Sequence, residues 1–217
     1  MPTVVPLLLG WMSNDAGVMI TGGSGVMRYP IPGYAVVHER GIVLFDTGLH
    51  ATLIDSTAEL RGLAKVFTIE LTGNDLLEAR LTANGIDAEE ITHVVNSHLH
   101  SITAAATVRS PTPPRCCRPT SAAHHPGPTP GHTAGHQSLL VRAADRPAAD
   151  SAMLVGDACY LHNMLTDGVF PPFAHDAERQ RDTYAMLAQH EAEGTRLLLS
   201  DDVDHWDVVP DALARGA

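Results

Sequence analysis

The chain has 217 residues, 44% of them hydrophobic and 18% charged, which is enough for one globular domain with a substantial core. Its 14 basic and 25 acidic side chains give a formal net charge of −11. An acidic surface repels phosphate backbones, so this composition argues against nucleic acid as a partner.

The N-terminal segment MPTVVPLLLGWM is apolar, but it is too short for a membrane span and lacks the basic leader and cleavage site of a signal peptide. Cys116, Cys117 and Cys159 are too few and too unevenly spaced for a disulfide framework. We therefore expect a cytoplasmic protein without a membrane partner.

The first predicted elements form a hairpin. Residues Tyr34 to Gly48 (YAVVHERGIVLFDTG) place β-branched and aromatic residues on both sides of a turn signal, and the second strand ends in a polar turn that begins at Asp46. A helix follows in GNDLLEARLTANG, where Asn74 or Asp75 is the predicted cap and Asn84-Gly85 the predicted end.

Strands and helices continue to alternate in the second half of the chain. ITHVVN, QSLLVR, AMLVGD and TRLLLSDD are typical of short buried strands, and DAERQRDTYAMLAQHEAEG predicts an amphipathic helix. This alternation predicts an α/β fold, with residues 1–217 in a single domain. Within it, residues 104–130 contain seven prolines and only one large apolar side chain, Val108, so we expect this segment to be irregular or disordered.

Four polar clusters each lie at an end of a predicted strand. His98 and His100 are two residues apart, so in extended backbone their side chains point the same way. His132 lies in a glycine-rich turn, and Asp157 and Asp201 follow later strands. Each residue alone has an ordinary structural interpretation, such as an exposed histidine or a capping aspartate. Together, at strand ends where α/β folds form their sites, they predict one metal site.

Several motifs together resemble the metallo-β-lactamase superfamily, and within it the N-acyl homoserine lactone lactonases. The stretch PIPGYAVVHERGIVLFDTG resembles the opening strands of that superfamily, and NSHLH resembles the start of its HxHxDH metal motif. TPGHTAGHQSLLV and GDACY resemble its third and fourth motifs. The resemblance covers nearly the whole chain and implies an αβ/βα sandwich that acts on a small-molecule lactone or ester, as in quorum quenching.

The resemblance also implies roles for particular residues. It implies zinc ligation by His98, His100 and His132, bridging of two zinc ions by Asp157, and contact of Tyr160 with the lactone carbonyl. In such a site a metal-bound hydroxide opens the lactone ring, and Tyr160 stabilises the oxyanion that develops. Without the neighbouring motif, Tyr160 would be interpreted as a half-buried core tyrosine.

The chain departs from the family at the second metal. Where HxHxDH supplies an aspartate and a histidine, this sequence has Ile102 and Thr103, which are not zinc ligands. The last family histidine is also absent, and Asp201 or the nearby His205 are the candidates to replace it. We therefore expect one zinc ion or none. Since the missing aspartate also handles the proton of the leaving alcohol, we expect impaired activity.

A coding argument offers an explanation for this departure. If a family loop HFDHCGGN is encoded CAC TTC GAT CAC TGC GGC GGC AAC, loss of one T from the second codon gives His-Ser-Ile-Thr-Ala-Ala-Ala-Thr, which is the sequence from His100 to Thr107. We hypothesise an out-of-frame segment that regains frame before Thr129. Resequencing rejects this hypothesis if no single inserted base restores the family loop, and ordinary drift in a surface loop is then the explanation.

Three functions remain compatible with these residues. The first is a zinc hydrolase of lactones or other esters, and the second is a glyoxalase-like thioesterase of the same superfamily. The third is a non-catalytic remnant with one metal ion or none. Fe²⁺, Mn²⁺ or Co²⁺ would also suit histidine and carboxylate ligands.

Overall fold

The computed structural model describes residues 2–100, 115–116, 124–142 and 150–203. The ten strands in these ranges are β1 (Thr3–Asp15), β2 (Val26–His38), β3 (Gly41–Phe45), β4 (Thr68–Glu70), β5 (Ile91–Val95), β6 (Arg115–Cys116), β7 (His124–Pro128), β8 (Gln137–Val141), β9 (Ala152–Gly156) and β10 (Arg196–Leu199). The α-helices are α1 (Ala16–Met19), α2 (Leu77–Ala83), α3 (His162–Asp167) and α4 (Ala177–Ala192). Short 3₁₀ turns cover Ala51–Ile54, Ala58–Lys65, Gly73–Asp75 and Ala88–Glu90.

The strands form two sheets. The first has the order β4-β1-β2-β3-β5-β6, and the second has the order β10-β9-β8-β7. β2 pairs antiparallel with both β1 and β3, whereas β5 pairs with β3 in parallel and β10 pairs with β9 in parallel. The carboxyl ends of β3 and β5 therefore lie at one edge of the first sheet, and those of β9 and β10 at one edge of the second.

The two sheets pack face to face through one apolar cluster. It joins Val36, Phe45 and Val95 of the first sheet to Leu154 and Leu198 of the second. Because side chains alternate across a strand, the neighbours of these residues point to the outer faces. There α2 packs against β1, and α4 packs against β10. The predicted αβ/βα sandwich is confirmed.

The predicted hairpin is confirmed, since β2 and β3 pair antiparallel from Tyr34–Phe45 to His38–Gly41. The predicted helix ends where expected, with Asn84 as its C-cap. Its start was predicted wrongly, because α2 begins only at Leu77. Asp75 instead accepts hydrogen bonds from the backbone and hydroxyl of Thr72 and caps a separate 3₁₀ turn.

The prediction of an irregular segment over residues 104–130 is wrong for the part that the structure describes. Residues 115–116 form β6, and residues 124–128 form β7, which pairs antiparallel with β8. Two prolines fit in β7 because this strand lies at the edge of its sheet, where one side of the backbone needs no ladder partner. The remaining residues of this segment up to 123 lie outside the described ranges.

Within the described ranges, none of the helices combines the length and the apolar character that a bilayer crossing requires.

Candidate metal site and its cavity

The loop after β5 carries His98 and is attached to both sheets. The backbone N–H of Ser97 donates to the Asp46 carboxylate at 2.7 Å, which ties the loop to the end of β3. The backbone N–H of Gln137 donates to the Ser97 carbonyl at 2.9 Å, which ties it to the start of β8. Ser97 Oγ lies 2.9 Å from His98 Nδ1, so the other ring nitrogen of His98 faces the site.

The loop between β7 and β8 carries His132 and is held by the start of α4. The Thr183 hydroxyl donates to the Pro130 carbonyl at 2.7 Å, and the backbone N–H of Asp176 donates to the Gly131 carbonyl at 3.0 Å. Gly131 has a φ of 138°, and a Cβ there would lie 2.5 Å from Gln180 Cβ. Only glycine allows the loop to approach the helix this closely.

Replacing Gly131 with alanine will destabilise the protein by at least about 2 kcal/mol, because it adds both backbone strain and overlap with α4. Urea unfolding of the metal-free protein measures this. Gly135→Ala is the matched control in the same loop, since a Cβ at Gly135 has no neighbour within 4 Å. Equal stability of the two variants would contradict the close packing at Gly131.

Asp157 follows β9 directly and completes the cluster. His98 Nε2 and His132 Nε2 lie 3.7 and 3.6 Å from Asp157 Oδ2. His132 Nε2 is also 3.2 Å from His100 Nδ1. One ligand atom from each of His98, His100 and His132 lies within 4.8 Å of the other two. These distances suit side chains that share one cation. Without a cation, the histidines repel one another only when they are protonated.

Burial lowers the pKa of two histidines of the cluster. It lowers the pKa of His132 to about 4, against a smaller opposing effect of Asp157. Burial also lowers the pKa of His100, with a further contribution from His98. For Asp157 burial acts to raise the pKa, but the neighbouring histidines outweigh it and hold the pKa below its ordinary value. At neutral pH the His100 and His132 imidazoles are therefore uncharged, and together with His98 and the Asp157 carboxylate they form a donor set for a divalent cation.

Tyr160 joins the cluster to a cavity. Its hydroxyl lies 2.9 Å from His132 Nδ1, and burial raises its pKa well above the ordinary value, so the hydroxyl keeps its proton. The cavity has a volume of about 290 Å³, and its walls include the apolar side chains of Met19, Ile31 and Phe67. This is a space for a small organic molecule with a polar end at the histidines.

Asp201 lines the same cavity but lies outside the group of three histidines. Burial and the nearby charge of Asp157 raise its pKa well above the ordinary value. His205, Ile102 and Thr103 lie outside the described residues.

Two further residues of the site were missed by the sequence analysis. His136 lies directly beneath the cluster, and its ring stacks on that of His98 with centroids 5.5 Å apart. Burial lowers the pKa of His136 to about 3. Asp46 lies under the His98 loop and borders the cavity. Asp46 could have been found, because it too is a carboxylate directly after a predicted strand.

Asp46 predicts a specific pH dependence of stability. Burial raises its pKa to about 6 from an ordinary value of 3.8. Its contribution to stability is therefore fully present below about pH 4 and is lost as the pH rises through about 6, a change of about 3 kcal/mol.

Asp46→Asn removes the titrating carboxyl group and therefore the loss of stability with rising pH. Asparagine also suits the positive φ of 59° at this position. Unfolding of the metal-free proteins at pH 4 and pH 7 should show the variant gaining on the unsubstituted protein as the pH rises. A constant difference between the two proteins across this range would contradict the assignment.

Comparison with known proteins shows which proteins this chain and its fold resemble. No known family's sequence profile matches the chain. The N-acyl homoserine lactonase AttM of Azorhizobium caulinodans is 22% identical, over 87% of this chain and 88% of AttM. A variant of B. thuringiensis AiiA, solved with N-decanoyl-L-homoserine at its active site, superposes with a TM-score of 0.78 at 17% identity and covers 95% of both chains. The dizinc quorum-quenching lactonase AidC superposes with a TM-score of 0.64 at 13% identity, over 92% of this chain and 86% of AidC.

The two sheets, their flanking helices and these superpositions define the fold as that of the metallo-β-lactamase superfamily. Within that class, the resemblance to the N-acyl homoserine lactonases that the motifs predicted is confirmed.

Proposed function

We propose that this protein is a metal-dependent hydrolase of lactones or related carboxylic esters, with one zinc ion at His98, His100, His132 and Asp157. The observation that carries this proposal is the convergence of three histidines, one carboxylate and the Tyr160 hydroxyl on a cavity of about 290 Å³. The likeness to AttM over most of both chains supports the lactone as the substrate class.

The donor set fits a single zinc ion. Zn²⁺ accepts both imidazole nitrogen and carboxylate oxygen, and in catalytic sites its coordination can expand from four to five ligands, so a water molecule or the substrate could join these four groups. Because the pKa values of His100 and His132 are lowered, an incoming ion does not have to displace protons from these two histidines. When bound, the ion supplies Lewis acidity towards the ester carbonyl and lowers the pKa of water.

A second ion lacks two of the family's ligands, because Ile102 and Thr103 stand in this sequence where the family has an aspartate and a histidine. Among the described residues, Asp201 is a further carboxyl group that lines the same cavity. The raised pKa of Asp201 means that a proton competes with any cation for its oxygens. Without the second ion and the family aspartate, hydrolysis should be slower by about 10²–10⁴-fold than in a complete site.

Tyr160 provides the hydrogen bond to the reacting carbonyl. His132 Nε2 faces His100 and Asp157, so its proton resides on Nδ1 when Nε2 binds a cation. The Nδ1–H group then donates to Tyr160 Oη at 2.9 Å, and the tyrosine O–H remains available to donate into the cavity. A donor placed before the reaction stabilises the negative charge that develops on the carbonyl oxygen.

The test is a substrate panel on the purified protein loaded with zinc. It contains an N-acyl homoserine lactone, a simple lactone and a glutathione thioester, each with and without prior removal of metal by a chelator. We expect slow, zinc-dependent opening of the lactones. Turnover of the thioester alone would favour a glyoxalase-like enzyme, and no turnover of any substrate would favour a non-catalytic remnant.

A further inference from the structure

His136 is a buried histidine whose role is not explained by the cluster that it underlies. Only 1% of its surface is exposed. Its ring stacks on His98 at an interplanar angle of 19° and contacts His132 edge-on, with centroids 5.9 Å apart. It therefore packs against two of the three metal-facing histidines without lining the cavity.

A chain of hydroxyl groups fixes where the proton of His136 resides. Ser138 Oγ lies 2.8 Å from the Val155 carbonyl, which can only accept, so Ser138 donates its single hydroxyl proton there. Thr129 Oγ1 lies 2.9 Å from Ser138 Oγ and must therefore donate to it.

The next contact then determines the tautomer of the imidazole. Thr129 Oγ1 lies 2.8 Å from His136 Nδ1, and the threonine proton is already used. Nδ1 must carry the proton and donate it to Thr129, which leaves a lone pair on Nε2. That nitrogen is buried and has no hydrogen-bond partner among the residues that the structure describes.

This chain of hydrogen bonds joins the segments that carry the cluster. Thr129 begins the loop of His132, and its backbone N–H donates to the carbonyl of His136 at 2.9 Å. Val155 lies two residues before Asp157 in β9. Gly156 lies so close that a Cβ there would be 3.2 Å from His136 Nε2 and 2.7 Å from Ser97 Cβ.

We propose that His136 is a positioning residue, held as the neutral Nδ1–H tautomer by Thr129 and Ser138, that sets the relative placement of His98, His132 and Asp157. Its consequence for metal affinity rests on the proposed zinc site, whereas the tautomer does not. Substitution of a residue that orients metal ligands in this way commonly lowers metal affinity by about 10–100-fold.

The first part of the test is nitrogen NMR of the metal-free protein with ¹⁵N-labelled histidine rings at pH 7. The chain has 13 histidines, so His136→Gln identifies the signal by its disappearance. We expect the Nδ1–H tautomer in the unsubstituted protein. A predominantly Nε2–H or doubly protonated ring would overturn the proposal, whatever the protein hydrolyses.

The second part compares three substitutions. Thr129→Val removes the acceptor, and we expect the His136 proton to move to Nε2 and zinc affinity, measured by competition with a chelator, to fall about tenfold or more. Thr129→Ser keeps the hydroxyl, so this variant should keep both the Nδ1–H tautomer of His136 and the zinc affinity of the unsubstituted protein. Thr195→Val is the control. Thr195 is also buried and accepts a hydrogen bond from the Ser151 hydroxyl, but it lies just before β10, at the end of the second sheet that is away from the histidine cluster.

The tautomer of His136 and the zinc affinity together show which part of the proposal fails. Unchanged zinc affinity in Thr129→Val, with the tautomer changed, would overturn the positioning role. If Thr129→Val does not fold, the tautomer of the unsubstituted protein and the Thr129→Ser comparison still decide the proposal. Absence of zinc binding in the unsubstituted protein would refute the proposed function and leave the tautomer as a separate result.

Discussion

Replacing His132 with alanine will lower zinc affinity by more than ~10²-fold and abolish zinc-dependent hydrolysis. His132 lies at the centre of the cluster, because its Nε2 is 3.2 Å from His100 Nδ1 and 3.6 Å from Asp157 Oδ2. Its removal takes away one of the four donor groups and the imidazole that lies nearest to two of the others, so the remaining groups hold zinc more weakly. Elemental analysis and chelator competition measure the loss.

The matched control for this prediction is His175→Ala. His175 is an exposed histidine in the described part of the chain, away from the cavity lining. This variant should keep the zinc content and activity of the unsubstituted protein. If His132→Ala retained zinc as tightly as His175→Ala does, the histidine cluster would not be the metal site.

Replacing Tyr160 with phenylalanine will lower kcat for lactone opening by about 10²-fold, the usual consequence of losing one donor to a developing oxyanion. Zinc content should change little, because phenylalanine keeps the ring that packs edge-on against His132 with centroids 5.8 Å apart. Steady-state kinetics at saturating substrate, together with zinc analysis, separate an effect on the reaction from an effect on the site.

Tyr184→Phe serves as the control for Tyr160→Phe. Tyr184 is also a buried tyrosine, but its hydroxyl contacts the Met164 sulfur at 3.4 Å, outside the cavity lining. Its variant should keep kcat. Equal kcat values for the two variants would remove Tyr160 from the reaction, and parallel loss of zinc and activity in Tyr160→Phe would indicate a role in holding His132 instead.

Sequence could predict the parts of the site where a histidine or an aspartate lies at the end of a predicted strand. His98, His132 and Asp157 each follow or adjoin a short apolar strand, and the structure brings them within a few ångströms of one another. Their roles as ligands remain predictions. Tyr160 was accessible only through the resemblance of GDACY to a family motif, since nothing in the local pattern distinguishes it from a core tyrosine.

The buried layer below the cluster could not be predicted in the same way. His136 is four residues from His132, and only the backbone course of that loop shows that one ring faces the cavity while the other packs beneath it. The strand β1 was missed because a continuous apolar run does not show whether it is a strand or a helix. The strand β7 was missed because proline counts against a strand unless its position at the sheet edge is known.

The number of zinc ions per chain, measured by elemental analysis of the purified protein after gentle dialysis, tests the central claim most directly. We predict close to one zinc ion per chain, lost in His132→Ala and retained in His175→Ala. Two ions would show that groups other than Ile102 and Thr103 complete a second site. No bound zinc would show that the three histidines and Asp157 do not form a metal centre, and would contradict the proposed hydrolase.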